Sequence, residues 1–117
     1  MLAFLSEPAT VAVPAGKHVL AIANKTFGTY ATGGAYGLRI SVCARNTYSD
    51  DPVEDIIPAS TMDNLTLPQF QHQVFGISAV FTPPAEGIYT LGMCGSVGEG
   101  NTSWNDNRGS TTTLLVF

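Results

Sequence analysis

Two runs rich in apolar, β-branched and aromatic residues, separated by a short proline-containing link, constrain this chain most. Residues 74–81 read VFGISAVF and residues 88–94 read IYTLGMC, with TPPAEG between them. Runs of this composition and length predict two antiparallel strands, read here as a hairpin. In the link, Pro83 and Pro84 lack the N–H groups that a ladder needs. Gly87 is expected to take a positive φ where the second strand begins.

The rest of the chain repeats that pattern in shorter pieces. Residues 2–5 suggest a short strand buried on both faces. Val11 and Val13 point inward from the next strand, which ends in a Pro14-Ala15-Gly16 turn. Residues 17–27 form a longer strand with a bend or bulge near Asn24. Val19, Ala21 and Ala23 share one of its faces, and Leu20 and Ile22 share the other, so both faces need cover. Residues 28–37 (GTYATGGAYG) read as loop. The cleanest alternation follows: Leu38, Ile40, Val42 and Ala44 point one way, while Arg39, Ser41, Cys43 and Arg45 point the other. An acidic connection over 46–63 has room for a short strand near Ile56. Leu65 and Leu67 mark another strand, residues 95–109 a long polar loop, and residues 111–117 the last strand.

Short strands at this spacing, with turn-rich links and no helical period, predict an all-β fold. The expected architecture is an antiparallel β-sandwich of jelly-roll (Greek-key) topology. At 117 residues the chain makes a single domain over 1–117. Leu114, Leu115, Val116 and Phe117 are apolar at every position. Such a run is either a central strand of the sandwich or a strand with one face against neighbouring copies.

Composition removes several classes of function. Only 12% of residues are charged, and the net charge is −4. Lys17, Lys25, Arg39, Arg45 and Arg108 are scattered, so phosphate neutralisation on a nucleic acid is not expected. No apolar run is long enough to insert across a bilayer. The low charge suits an extracellular or surface-displayed module, and we expect the chain to be a piece of a longer protein.

Cys43 and Cys94 each lie near a strand end. In a low-charge, surface-type domain such a pair is expected to form a disulfide, with free buried thiols as the alternative. Closing about fifty residues is worth roughly 4 kcal/mol on the chain-entropy account. No metal site is expected, because neither cysteine has a Cys or His at ligand spacing. No cofactor is expected either. The acidic pairs Asp50-Asp51 and Glu54-Asp55 read as a solvated loop, with a calcium site as the alternative. No nucleophile elbow, phosphate cradle or acid–base pair can be assembled, so an enzyme is not expected. His18 and His72 have nothing ordered around them and read as surface or packing residues. Three Asn-x-Ser/Thr triplets (Asn24, Asn64 and Asn101) are matches that chance readily produces.

The candidate ligand residues are Trp104, Asn105, Asp106 and Asn107. An indole face stacks on the apolar face of a sugar while amides and carboxylates take its hydroxyls. The alternative is that Trp104 folds back as a lid on the core while its neighbours make turns. Tyr30 and Tyr36 join the candidate site, and with Tyr48 they are expected at the same end of the sandwich.

Several short motifs carry a resemblance. They are Val13-Pro14-Ala15-Gly16, Ile40-Ser41-Val42-Cys43, Gly87-Ile88-Tyr89-Thr90-Leu91-Gly92-Met93-Cys94-Gly95, Trp104-Asn105-Asp106-Asn107 and Leu114-Leu115-Val116-Phe117. Together they resemble the C-terminal head domains of bacterial secreted, collagen-like and phage-type fibre proteins. More loosely, residues 81–89 are similar to the trimeric jelly-roll heads of tumour-necrosis-factor and complement type. The resemblance implies a homotrimeric fibre tip used for attachment to a glycan or a cell-surface protein. It carries over no binding residue. A structural cap without a ligand and a monomeric carbohydrate-binding module are the competing expectations.

Overall fold

The computed structural model describes residues 3–5, 7–30, 32–49, 52–56, 61–97 and 108–117; for Ala3, Val97 and Arg108 it describes the backbone alone. Among the described residues there are nine strands and no helix: Ala3–Phe4 (β1), Ala9–Val13 (β2), Val19–Gly28 (β3), Ala35–Asn46 (β4), Glu54–Asp55 (β5), Met62–Leu67 (β6), His72–Phe81 (β7), Gly87–Val97 (β8) and Arg108–Val116 (β9).

The strands form two antiparallel sheets. One is centred on β8 and β4, paired from Leu38↔Val97 to Asn46↔Tyr89. β1 and β2 share the outer edge of β8, and β5 and β6 share the outer edge of β4. The other sheet is β7-β3-β9. Small residues on β3 (Val19, Ala21, Ala23) and Ile77 and Ala79 on β7 share one core with Leu38, Ile40 and Val42 of β4 and Leu91 and Met93 of β8. Filling one sheet's face with small side chains lets the larger ones opposite interdigitate. The result is β-sandwich-like.

The expected hairpin is not one. β7 and β8 lie where the composition places them, but they belong to different sheets. All ten residues of β7 pair with β3, from Val19↔Phe81 to Gly28↔His72. β8 is flanked instead by β2 and β4. Residues 82–86 therefore cross between sheets, a separation of about 10 Å, where missing proline N–H groups cost no ladder bond. Phe81 and Tyr89 meet edge-on across the crossing, with ring centroids 5.2 Å apart. The Tyr89 hydroxyl donates to the Ala85 carbonyl at 2.8 Å. Gly87 is not among the residues of positive φ; Gly16, Gly33, Gly34 and Gly37 are.

The loop expected over 28–37 is shorter, and Tyr36 is a correction within it: it stands on β4. Gly37, at φ +68°, falls where the β4–β6 register shifts between Ala35 and Leu38, so one extra residue is absorbed as a bulge. At Gly34 a Cβ would overlap the Leu67 carbonyl oxygen, so this close approach of backbones needs glycine. The irregularity expected near Asn24 falls one step on, between Lys25 and Thr26 against β9.

β9 is an edge strand. Leu114 and Val116 pack on the core, while Leu115 and Phe117 are 57% and 52% exposed. Phe117 is thus not sealed inside the sandwich. On the outer face of this sheet Leu20 lies between Val80 and Leu115 in register, with Ile22 beside them. Ile22 and Val80 are also exposed. No Asp, Glu, Lys or Arg is among the described side chains of that face. The solvent face of an antiparallel sheet is ordinarily polar. Here Leu20, Ile22, Val80 and Leu115 group at one end, and Asn24, Thr26, Ser78, Thr111 and Thr113 continue the face toward the other, whereas the outer face of the other sheet carries Arg39 and Arg45.

Candidate functional site

Two sets of connections cap the sandwich. One end gathers the β3–β4 and β6–β7 connections, together with the last residue of β8 and the first of β9. The registers Ala35↔Leu67, Gly28↔His72, Leu38↔Val97 and Thr26↔Arg108 bring all four to the same side. Trp104, Asn105, Asp106 and Asn107 lie outside the described residues, but the strands that flank them, β8 and β9, open at this end. Tyr48 does not belong to it. It follows β4 at the opposite end, where Thr47 N–H donates to the Ile88 carbonyl at 2.9 Å.

Tyr30 does belong to it, and it has an aromatic partner that the sequence reading missed. Tyr30 and Phe70 are 63% and 69% exposed, and their ring centroids stand 6.1 Å apart at 56°. Three hydrogen bonds fix the pair. Phe70 N–H donates to the Thr29 carbonyl at 2.9 Å and Gln71 N–H to the Pro68 carbonyl at 3.3 Å. Gln69 Nε2 donates to the Tyr30 carbonyl at 3.1 Å. Residues 68–71 thus form a β-turn whose third residue, Phe70, has φ +64°. That position favours glycine or asparagine. An aromatic residue there costs about 1–2 kcal/mol of backbone strain. The strain goes with a large apolar ring turned to solvent, which offers no burial in return. Tyr36 is exposed at the start of β4, and among the described residues no ring contact joins it to the pair. The signal for Phe70 was a lone aromatic in the polar stretch Gln69-Phe70-Gln71-His72-Gln73, directly after a proline.

This arrangement offers a sugar ring or a partner's side chain two angled aromatic faces, with the Gln69 amide holding their backbone. Replacing Phe70 with glycine should therefore raise stability by up to about 1 kcal/mol, since the strain goes and little burial is lost. Urea unfolding measures this. A lower stability would show that the turn is not strained by its aromatic residue.

At the opposite end lies an open cleft of about 290 Å³ between β4, β5 and the 82–86 crossing. Arg45, Asn46, Glu54, Phe81 and Tyr89 line it. The buried Nε of Arg45 makes no hydrogen bond there among the described residues. Elsewhere, Cys43 and Cys94 form the expected disulfide, 51 residues apart. Of the acidic pairs, Asp50 and Asp51 lie outside the described residues. The Asp55 carboxylate is engaged by Arg39 Nη2 at 2.7 Å. His18 bonds Thr82 through Nδ1 at 2.9 Å and packs its ring on Phe117.

Comparison with known protein families, with curated proteins and with solved structures finds no match to this chain.

Proposed function

We propose that the chain is a non-enzymatic recognition head that binds a glycan or a surface protein through its loop end. The observation that carries this reading is the exposed Tyr30–Phe70 pair, held in place with Phe70 in a costly backbone conformation. Strain of this kind gathers at sites where geometry matters more than stability. Trp104, Asn105, Asp106 and Asn107 supply the remaining sugar chemistry from the connection between β8 and β9. The finer topology we read as jelly roll. β2 to β3, β3 to β4, β6 to β7, β7 to β8 and β8 to β9 all change sheet, as Greek-key links do. An extracellular setting agrees with the disulfide.

A glycan array probed with the unaltered chain and with Tyr30→Ala, Phe70→Ala and Trp104→Ala tests the site. Each substitution should weaken binding about tenfold or more, the scale of one lost stacking contact of about 1.4 kcal/mol. Arg45→Ala, in the cleft at the other end, should bind as the unaltered chain does. Undiminished binding by all three aromatic variants would end the proposal for this site, and a loss confined to Arg45→Ala would move it to the opposite end.

The apolar end of the outer face of the β7-β3-β9 sheet, at Leu20, Ile22, Val80 and Leu115, supports the second part of the proposal, a homotrimer. Copies of a chain with net charge −4 repel one another, and this face lets them approach without like-charge contact. Light scattering should give about three times the 12.3 kDa chain mass, falling to the monomer for Leu115→Asp. A monomeric unaltered chain would remove the trimer and leave the loop end standing. The same face also favours a structural reading, a cap or decoration without a ligand. A trimer that binds nothing on the array would favour that reading.

A further inference from the structure

The disulfide has an unusual neighbour. Cys43 on β4 and Cys94 on β8 lie diagonally across the two central strands, with Cα atoms 5.7 Å apart. Both are fully buried. Asp55 of β5 pairs with Cys43 in register and sets its Oδ1 3.6 Å from the Cys43 sulfur. An oxidised sulfur has no proton to donate, so this contact is not a hydrogen bond in the bridged protein. Asp55 is partly buried there, held by Arg39 through its other oxygen while Oδ1 is left facing the sulfur.

The arrangement makes sense for the reduced pair. A tetrahedral thiophilic ion has metal–sulfur bonds of about 2.3 Å and metal–oxygen bonds of about 2.0–2.2 Å. Ligand edges of roughly 3.8 Å (S···S) and 3.5 Å (S···O) follow from those lengths. Asp55 Oδ1 already stands at such an edge. One ligand atom from each of Cys43, Asp55 and Cys94 lies within 4.8 Å of the others. Reduction frees the two sulfurs to turn about their Cα–Cβ bonds toward such an edge. The other carboxylate oxygen, Oδ2, accepts from Arg39 Nη2 at 2.7 Å, and Arg39 Nε faces Asp63 at 3.4 Å. That is the outer-shell hydrogen bond that orients a metal-binding carboxylate. Two thiolates and two carboxylates against one guanidinium leave the cluster anionic, and a divalent cation offsets most of that charge.

We infer that this face holds a redox-gated site for a thiophilic divalent metal ion of the zinc class, assembled from Cys43, Cys94 and Asp55 once their disulfide is reduced. A dithiol reductant supplies two electrons and two protons. Its own thiols close into a cyclic disulfide, and Cys43 and Cys94 become thiols. The ion then displaces one proton from each thiol to solvent, and water fills the fourth position. Metal and disulfide are alternative closures of the same two strands. The inference does not rest on the recognition reading above.

Cobalt(II) is the probe. The full chain is reduced with a dithiol in urea and returned to buffer by anaerobic gel filtration, and its two thiols are counted. It should bind one cobalt ion, with tetrahedral visible bands and thiolate-to-cobalt charge-transfer absorption, and the oxidised chain should show neither. Asp55→Asn should weaken the reduced chain's affinity more than tenfold, and Arg39→Gln about tenfold. Circular dichroism is recorded alongside. If the reduced chain loses its strand signal, one equivalent of zinc should restore it. Absence of a thiolate–cobalt band in a folded reduced chain, unchanged affinity in Asp55→Asn, or failure of zinc to restore a lost fold would each overturn the site.

Discussion

Replacing both Cys43 and Cys94 with alanine should lower the free energy of unfolding by about 4 kcal/mol, the chain-entropy value for a closed loop of this length. The bridge spans 51 residues. It ties β4 to β8, the pair at the centre of the charged sheet. Without it, their register rests on ladder bonds and on the inward row Leu38, Ile40, Val42, Leu91 and Met93, all of which are fully buried. Domains of this size commonly hold only 5–15 kcal/mol in total. Urea unfolding of the double variant beside the oxidised chain measures the difference. A loss under about 1 kcal/mol would mean that packing alone fixes the two strands, and that the bridge contributes little.

Phe27→Ala should cost about 3–5 kcal/mol, as truncating a large buried aromatic residue does. Phe27 closes the core at the loop end of the sandwich. It is fully buried, its ring centroid lies 6.0 Å from that of Phe75, and the Lys25 ammonium stands 5.5 Å above its ring. Val74→Ala is the internal control. Val74 lies opposite Thr26 on the outer face of the same sheet and is 69% exposed, so its loss should stay within about 0.5 kcal/mol. Equal effects at the two positions would mean that the faces of β3 and β7 are assigned the wrong way round.

The contrast between Phe27 and Val74 shows how much was legible in the chain. Alternation along residues 38–45 named the inward residues of β4, because strand geometry turns successive side chains to opposite faces whatever the partner; along 19–23 it sorted the residues into two faces without saying which is inward. The bulge near Asn24 was legible to within a residue. Leu114, Leu115, Val116 and Phe117 were ambiguous, since an alternation cannot be read when its outward members are apolar too. At the candidate site Tyr30 was found and Phe70 was not. Phe70 has neither period nor charge to mark it, and the contact that singles it out is with a residue forty positions away.

Strand identity, and strand facing where only one face is apolar, were therefore properties of local order, written in the period and chemistry of neighbouring residues, while the cysteine pairing followed from there being only two of them in a chain of low charge. Which strand lies beside which was decided elsewhere. Residues 74–94 would serve a hairpin or a crossing equally well by composition. The fold chose the crossing because β3 takes the full ladder of β7, while β2 and β4 take both edges of β8. Hydrogen-bond partners and core space are shared across the whole chain, so such choices follow only from satisfying every strand at once.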